Sequence, residues 1–550
     1  LPNGRKSAAG AIVTGTACWR GDGKKLIFEV MQSVASGPSP TCGEVIAAIQ
    51  DHLPALYFAF SRGRTELLAE ELGREWDFLD AGEKRTVTRM IREAEEGNPG
   101  LFGPRRQKLR RLLHQGIGYH HAGLSPLLKD LVERLYESRL IYVLFCTETF
   151  AVGVNFPAAS TVFDSCRKWD GREFRPLLNR EFFQMAGRAG RRGFDPVGRV
   201  YVRIDERFPE QTGFYREDGV EPVRGRLSIS PNTVLSLLCW KTDEEIRRFL
   251  EQNLAVYQNS RESREIKKEL PRLEEKAADL ASCFCPERGQ PCCQLFRLKL
   301  RKELNQLNKR RRRNRAGSRD RREEIRALLQ TERKKCRYKA CQEAEKKIRR
   351  LEERIHLLHR RLQQLEQNSR DYGHEFKSVW GLLERMGYVQ GRELLPRGKF
   401  ALFVHVQEIL VTELVFSGII LESTPVEVAA ILAGVDYQPG RDEQVVSPPF
   451  SLVRVEELRR FLLENGVPEN FCVWSPVPAA LAAAWYEGAS FEQLLGMCNL
   501  QEGDVFSVMR REIDLLRQIE RAAGEDRTLA ALARELRRRL DRDEVAVLGV

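Results

Sequence analysis

The stretch FFQMAGRAGRRGFDPVGRVYV, Phe182 to Val202, places four arginines within twelve residues, from Arg188 to Arg199. Gly187, Gly190, Gly193 and Gly198 punctuate it, and an apolar, strand-like run closes it. Guanidinium groups bind phosphate and carboxylate through paired hydrogen bonds, and glycine lets the backbone come close to a ligand. The pattern therefore points to an anion held near the backbone. Three kinds are open: a nucleotide phosphate, a nucleic-acid backbone, or solvent ions around a basic loop.

The flanking sequence supplies the fold. Residues 50 to 205 alternate short apolar runs with helical patterns: LPALYFAFS (Leu53 to Ser61), RLIYVLFCTE (Arg139 to Glu148), ASTVFDSC (Ala159 to Cys166) and GRVYVRID (Gly198 to Asp205). Near-continuous apolar runs with helices between them argue for a parallel sheet covered on both faces, an α/β domain. Downstream the period becomes helical, and in ISPNTVLSLL either Ser230 or Asn232 caps a helix around Pro231. From 258 to 372 the chain is rich in charge. There Leu351, Ile355, Leu358, Leu362 and Leu365 alternate spacings of four and three, a coiled-coil seam, with LPRLEEKAADL as its partner helix. FKSVWGLLERMGYVQGRELLPRGKFALFV has the helix, hairpin and strand rhythm of a winged helix, and the remainder to Val550 reads as amphipathic helices. The expected order is thus 1–205 for the α/β domain, 206–257 with 373–403 for the winged helix, 258–372 for the coiled-coil insertion and 404–550 for a helical bundle.

The 550 residues carry a net charge of +12, which favours a polyanionic partner. No apolar run of membrane-spanning length and no charged-then-apolar leader is present, so a cytoplasmic protein without a membrane partner is expected. Thirteen cysteines then read as reduced thiols or metal ligands rather than a disulfide framework.

Taken together, TETFAVGVNFPA (Thr147 to Ala158) and QMAGRAGRRGFD (Gln184 to Asp195) resemble motifs V and VI of superfamily 2 helicases, and more narrowly of the superkiller-type DExH-box RNA helicases. YFAFSRGRTELLA and YHHAGLSPLLKDLVERLY resemble their motifs IV and IVa, and EILVTELVFSGII with the later EGDVFSVMRREIDLLRQI resembles their DSHCT helical domain. The resemblance implies a RecA-like domain. Arg188 and Arg191 would be arginine fingers on the transferred phosphoryl group, three residues apart and so on one face if helical. Gln184, Gly187, Gly153 and Asn155 would face the nucleotide. Ser61, Arg62, His121, Gly123 and Thr147 would meet the nucleic acid, joined by Glu408 from the helical domain. Ser507 stands where the family usually has a channel-facing arginine, so Arg510 and Arg511, one turn on, are the substitutes.

No G-x-x-x-x-G-K-[ST] loop occurs in the sequence; GDGKKL and PRGKFAL have a Gly-Lys pair without the spacing, and Asp543 and Glu544 read as a frayed acidic tail. ATP and magnesium would then be bound mainly by a first motor domain absent from these residues, and this chain alone is expected to be inactive. Cys283, Cys285, Cys292 and Cys293 cluster around two prolines, and folding the flanking helices back brings Cys336 and Cys341 to the same end. Four such thiolates suffice for tetrahedral zinc or an iron–sulfur cluster. The arginine-rich run Lys309 to Arg322 suits phosphate contact. The expectation is an ATP-dependent 3′-to-5′ RNA helicase acting on single-stranded RNA or an RNA duplex with an overhang, with RNA-decay or ribosome-associated partners. The alternatives are a related DNA repair helicase and a non-catalytic RNA-binding scaffold.

Overall fold

The computed structural model describes residues 12–20, 23–27, 40–98, 100–151, 156, 158–190, 197–203, 220–282, 300–305, 307, 319–335 and 339–546. They fall into two compact units, one of residues 1–222 and 396–550, the other of 223–395.

The first unit is built on a seven-stranded sheet. In chain order its strands are β1 (Ile12–Arg20), β2 (Gly23–Ile27), β3 (Ala55–Phe58), β4 (Ile117–His120), β5 (Val143–Cys146), β6 (Ser160–Phe163) and, after a small exposed hairpin of β7 (Arg167–Trp169) and β8 (Phe174–Pro176), β9 (Val197–Arg203). Across the sheet the order is β2-β1-β9-β6-β3-β5-β4. The five strands from β9 to β4 are parallel, while β1 and β2 extend one edge antiparallel. Every residue of β3, β4, β5 and β6 is buried, as two covered faces require. Tyr57, Phe58, Phe145 and Phe163 are among the largest fully buried side chains, each contributing on the order of 2 kcal/mol by burial.

The sequence reading passes over two of these elements. Ile117–His120 is only four residues long and carries a glycine, so no apolar run marks it. The β1–β2 hairpin lies where GDGKKL mimics a phosphate loop, and Lys24 and Lys25 instead pair with Trp19 and Cys18 across the ladder. PRGKFAL likewise belongs to a helix, Pro396–Ala401, and not to the strand expected there; Pro396 sits at its first position, where no amide hydrogen is needed.

Helices from 396 onward complete this unit. Three of them, Glu408–Phe416, Pro425–Ala433 and Ala479–Tyr486, are buried on nearly all sides rather than amphipathic. Pro425–Ala433 packs on the 21-residue helix Glu502–Ala522, which in turn packs along Arg527–Leu540. Asp543 and Glu544 do not fray: they form a short helical turn pinned by the buried Val545 and by Arg510, whose guanidinium donates to the Val545 carbonyl at 3.1 Å.

In the second unit Ser230 caps Pro231–Trp240, and Asp243–Glu251 follows a Thr242 capping box. The strands Val389–Gln390 and Glu393–Leu394 close a hairpin beside them. The helix Leu254–Ser282 runs against the 47-residue helix Lys339–Arg385. Ile266, Leu270 and Leu273 pack with Ile355, Leu358, Leu362 and Leu365, four of the five seam positions expected. Arg361 pairs with Glu262 and Arg354 with Glu269, so one number rises as the other falls and the two helices are antiparallel. The basic tip and Cys283, Cys285, Cys292, Cys293 and Cys336 lie outside the described residues, as does the side chain of Cys341. Among the described residues no cluster suited to a metal ion occurs.

Candidate nucleotide and nucleic-acid site

The parallel register sets Phe58, Cys146, His120 and Phe163 level with one another, so the loops after β3, β4, β5 and β6 leave from one carboxyl edge. In open α/β sheets ligands bind at such an edge. Four of the expected nucleic-acid residues gather here. Ser61 caps α2 (Arg62–Leu72), its hydroxyl accepting from the Arg64 amide at 3.2 Å, and stays exposed. Thr147 follows β5, hydrogen-bonded to Thr149 at 2.9 Å. His121 and Gly123 follow β4.

His121 and Gly123 have no surface to offer a strand, contrary to expectation. The His121 side chain is wholly enclosed, and its Nδ1 accepts from the Gly123 amide at 3.1 Å. That bond leaves Nε2 as the donor, to Glu66 at 3.0 Å, and fixes the tautomer. Burial pushes the ring's pKa down against the pull of Glu66, so it stays neutral at pH 7. Burial resists ionisation of Glu66, but the His121 hydrogen bond and Arg106 outweigh it and hold that carboxyl below its usual value. Glu408 is also buried, in the first turn of its helix.

The reason lies in the helical part of the same unit. The first turn of Glu502–Ala522 sits directly on the loop after β4. The Gly503 amide donates to the Gly123 carbonyl at 3.1 Å, and a Cβ on Gly503 would lie 2.0 Å from the Ala122 oxygen. A Cβ on Gly123 would meet the Gln501 side chain at 1.7 Å. Only glycine fits at Gly503, because the opposing atoms there are backbone; at Gly123 a side chain would first have to displace Gln501. Arg106, 8% exposed, pairs with Glu502 at 2.6 Å, and Arg105 donates to the carbonyls of Leu495, Cys498 and Leu500. Arg62 is drawn into this seam, bonded to Asp504 at 2.6 Å and Gln501 at 3.0 Å. Arg106, Glu66 and Glu502 escape sequence reasoning because Arg106 and Glu502 stand 396 positions apart and no local pattern joins them.

Along the same helix Ser507 turns back to the Gly503 carbonyl at 2.6 Å. Arg510 is held by Asp541 and Val545, and Arg511 donates to the Asp436 carbonyl at 3.1 Å while lying over the Tyr437 ring. Lys129, in α5 (Pro126–Glu137), is the unassigned cation at this edge. It is half-buried with no carboxylate bonded to it among the described residues, and burial, joined by Arg62, lowers its pKa against the opposing pull of Glu133 and Asp504.

The arginine-finger candidates follow a separate element, α6 (Asn179–Ala186). Carboxylates hold its start: Glu221 accepts from the Asn179 and Arg180 amides at 2.9 and 3.0 Å. Glu181 accepts from Leu178 N, Arg175 and Lys168. Burial opposes ionisation of Glu181, yet these donors bring its pKa to about 2. Gln184 is exposed on α6, and Gly187 is exposed just past its end. The helix stops at Ala186, so Arg188 belongs to the following turn and the shared helical face expected for Arg188 and Arg191 is not formed through it. Arg191, Gly153 and Asn155 lie outside the described residues. Gly190 takes a φ of +87°, and Ala189 bridges to Ala158 just ahead of β6. The Arg188 guanidinium donates to the Ala151 carbonyl, a neutral acceptor, and no carboxylate among the described residues pairs with it. Its charge remains available to an anion.

Comparison with known proteins finds two domain matches and a set of partial relatives. The helicase conserved C-terminal domain matches residues 83–193, and the DSHCT (NUC185) domain matches 392–547. The chain is 41% identical over 193 residues to superkiller complex protein 2 of Homo sapiens, covering 34% of this chain and 15% of that protein. It is 44% identical over 166 residues to the ATP-dependent RNA helicase DExH11 of Arabidopsis thaliana, covering 30% and 12%, and 37% identical over 188 residues to the exosome RNA helicase MTR4 of Homo sapiens, covering 34% and 18%. The chain thus carries a helicase C-terminal domain and a DSHCT domain and is similar to superkiller-type DExH-box RNA helicases, of whose length the match spans less than a fifth. The two matched domains supply the two halves of the carboxyl-edge seam, since Arg106 and Gly123 fall in the helicase match and Glu502 to Asp504 in the DSHCT match. No helix among the described residues is long and apolar enough to cross a membrane.

Proposed function

We propose that this chain is the RNA-engaging part of an ATP-dependent RNA helicase that translocates 3′ to 5′ during RNA processing or decay in the cytoplasm. The observation that carries the reading is Arg188, inside the helicase match, with its guanidinium free of any carboxylate among the described residues. Fixed guanidinium groups aimed at a transferred phosphoryl group speed its transfer by roughly 10³–10⁵ in arginine-finger enzymes. With no phosphate-binding loop in the sequence, ATP and magnesium are held mainly by a domain other than those described. ATP supplies the hydrolysis that drives movement. This chain supplies Arg188 and Gln184 on the nucleotide side, and Ser61, Thr147 and Lys129 along the edge where RNA passes. On its own it does not turn ATP over.

The test is unwinding by a protein in which this chain follows a domain bearing the loop, on RNA duplexes with a 3′ or a 5′ overhang. Unwinding of the 3′-tailed RNA alone is expected. Preference for DNA would assign the chain to the repair-type helicases, and no unwinding of either would favour a scaffold. The cysteine cluster belongs to the same proposal as a zinc site, for which elemental analysis of the purified protein should find about one zinc per chain.

A further inference from the structure

The short helical turn Glu148–Ala151 follows Thr147 directly, so it begins at the edge where RNA is placed. It also touches the segment that carries Arg188, and it does so twice. At its far end the Ala151 carbonyl accepts from the Arg188 guanidinium. At its near end the Glu148 carboxylate accepts from Lys168 at 2.6 Å, and the same ammonium reaches Glu181, in the first turn of α6, at 2.9 Å. The segment is therefore fastened to one four-residue turn at both ends, the start of α6 through Lys168 and the residue beyond its end through Arg188.

Lys168 lies in β7, and its side chain is 14% exposed. Burial works against its charge, but the hydrogen bonds to Glu148 and Glu181 outweigh it and raise its pKa, so the ammonium is retained. Enclosing that charge is costly, and a methionine of similar length would fill the same space without the cost. Holding the start of α6 does not require it either. Glu181 already takes both terminal nitrogens of Arg175, at 2.8 and 2.9 Å, and accepts from the Leu178 amide at 2.9 Å. What the lysine adds is the tie to Glu148. The Thr147 hydroxyl is shared with Thr149 inside the same stretch, at 2.9 Å, and a phosphate oxygen accepting from Thr147 competes with that bond. The turn is thus the piece of backbone that a bound strand would shift.

We propose that Lys168 is a positioning residue that couples RNA at Thr147 to the placement of Arg188, which rests on the reading that Thr147 meets RNA and Arg188 serves the phosphoryl group. The Arg188–Ala151 bond opens when the guanidinium turns to a phosphate. The Lys168 bridge keeps α6 in step with the turn while it does.

The experiment measures ATP turnover with saturating single-stranded RNA and with none, in the protein where this chain follows a domain bearing the phosphate-binding loop. In K168M the ratio of the two rates should fall about tenfold, within the span of couplings between distinct sites. K168R keeps the bridging charge and should restore most of the ratio. E148Q cuts the bridge at a carboxylate that is 46% exposed and leaves Lys168 on Glu181, so it tests the proposal even if K168M does not fold. It should lower the ratio to a similar degree, and K168M/E148Q should lower it no further. A merely structural lysine would slow both rates by one factor and leave the ratio as it is. That result, an unchanged ratio in E148Q, or additive losses in the double variant would overturn the proposal alone. A parent protein whose turnover RNA does not stimulate would overturn the underlying reading, and the proposal with it.

Discussion

Glu512 is buried in the helical domain, 1% exposed, and neither of its carboxyl oxygens has a hydrogen-bond partner among the described residues. Burial alone pushes its pKa well above the carboxylate range. The folded state therefore keeps a proton that the unfolded chain releases as pH rises, and stability falls with pH above the ordinary carboxylate pKa. Glu512→Gln removes that dependence. The variant should melt higher than the parent at pH 7.5, with the gap closing toward about pH 4.5; a gap that does not change with pH would contradict the assignment. Arg106 and Glu502 show the opposite economy, a buried charge that is paired. Breaking the pair by Arg106→Ala should cost about 3–5 kcal/mol, whereas replacing both members by Met and Leu should cost far less. Chemical denaturation of the two variants distinguishes this from a merely additive loss. Such residues explain the limits of sequence reading at this scale. Arg188 is legible because a dense local motif surrounds it. Glu512 looks like any helix-surface acid, and Arg106 depends on a partner 396 positions away. Arg62 and His121 were legible as motif members, but not as parts of a seam, because the seam's other half comes from a distant segment.

Elements were legible where period and punctuation agree. The strands at 55–58, 143–146 and 160–163 and the start at Pro231 follow from apolar runs and a Ser-Pro cap. Ile117–His120 was not, since four residues with a glycine carry too little pattern. The long helix Lys339–Arg385 tests the reading of the coiled coil. Leu365 is 1% exposed against Ile266 and Leu270 although charge dominates the sequence around it. Leu365→Asp buries an unpaired carboxylate and should destabilise the helix pair by about 3 kcal/mol. Hydrogen exchange should then quicken across 339–385 while β3 and β5 stay protected; uniform loss across both units would contradict independent cores.

At the scale of the whole molecule, the sheet's carboxyl edge is covered by the first turn of Glu502–Ala522 through two glycines facing each other. A strand moving past Ser61, Thr147 and Lys129 would therefore be sensed by the helical domain through Arg62 and Asp504. Arg188 follows α6, its guanidinium bonded to the Ala151 carbonyl and to no carboxylate among the described residues. The measurement that bears most directly on this arrangement is the ATPase rate with and without single-stranded RNA. It is made on this chain alone, on the chain joined to a domain bearing the phosphate-binding loop, and on the joined protein with Arg188→Ala. The account predicts turnover only in the joined protein, stimulated by RNA and reduced by about 10³-fold or more in the variant. Turnover from the chain alone, or a joined protein indifferent to Arg188→Ala, would contradict it.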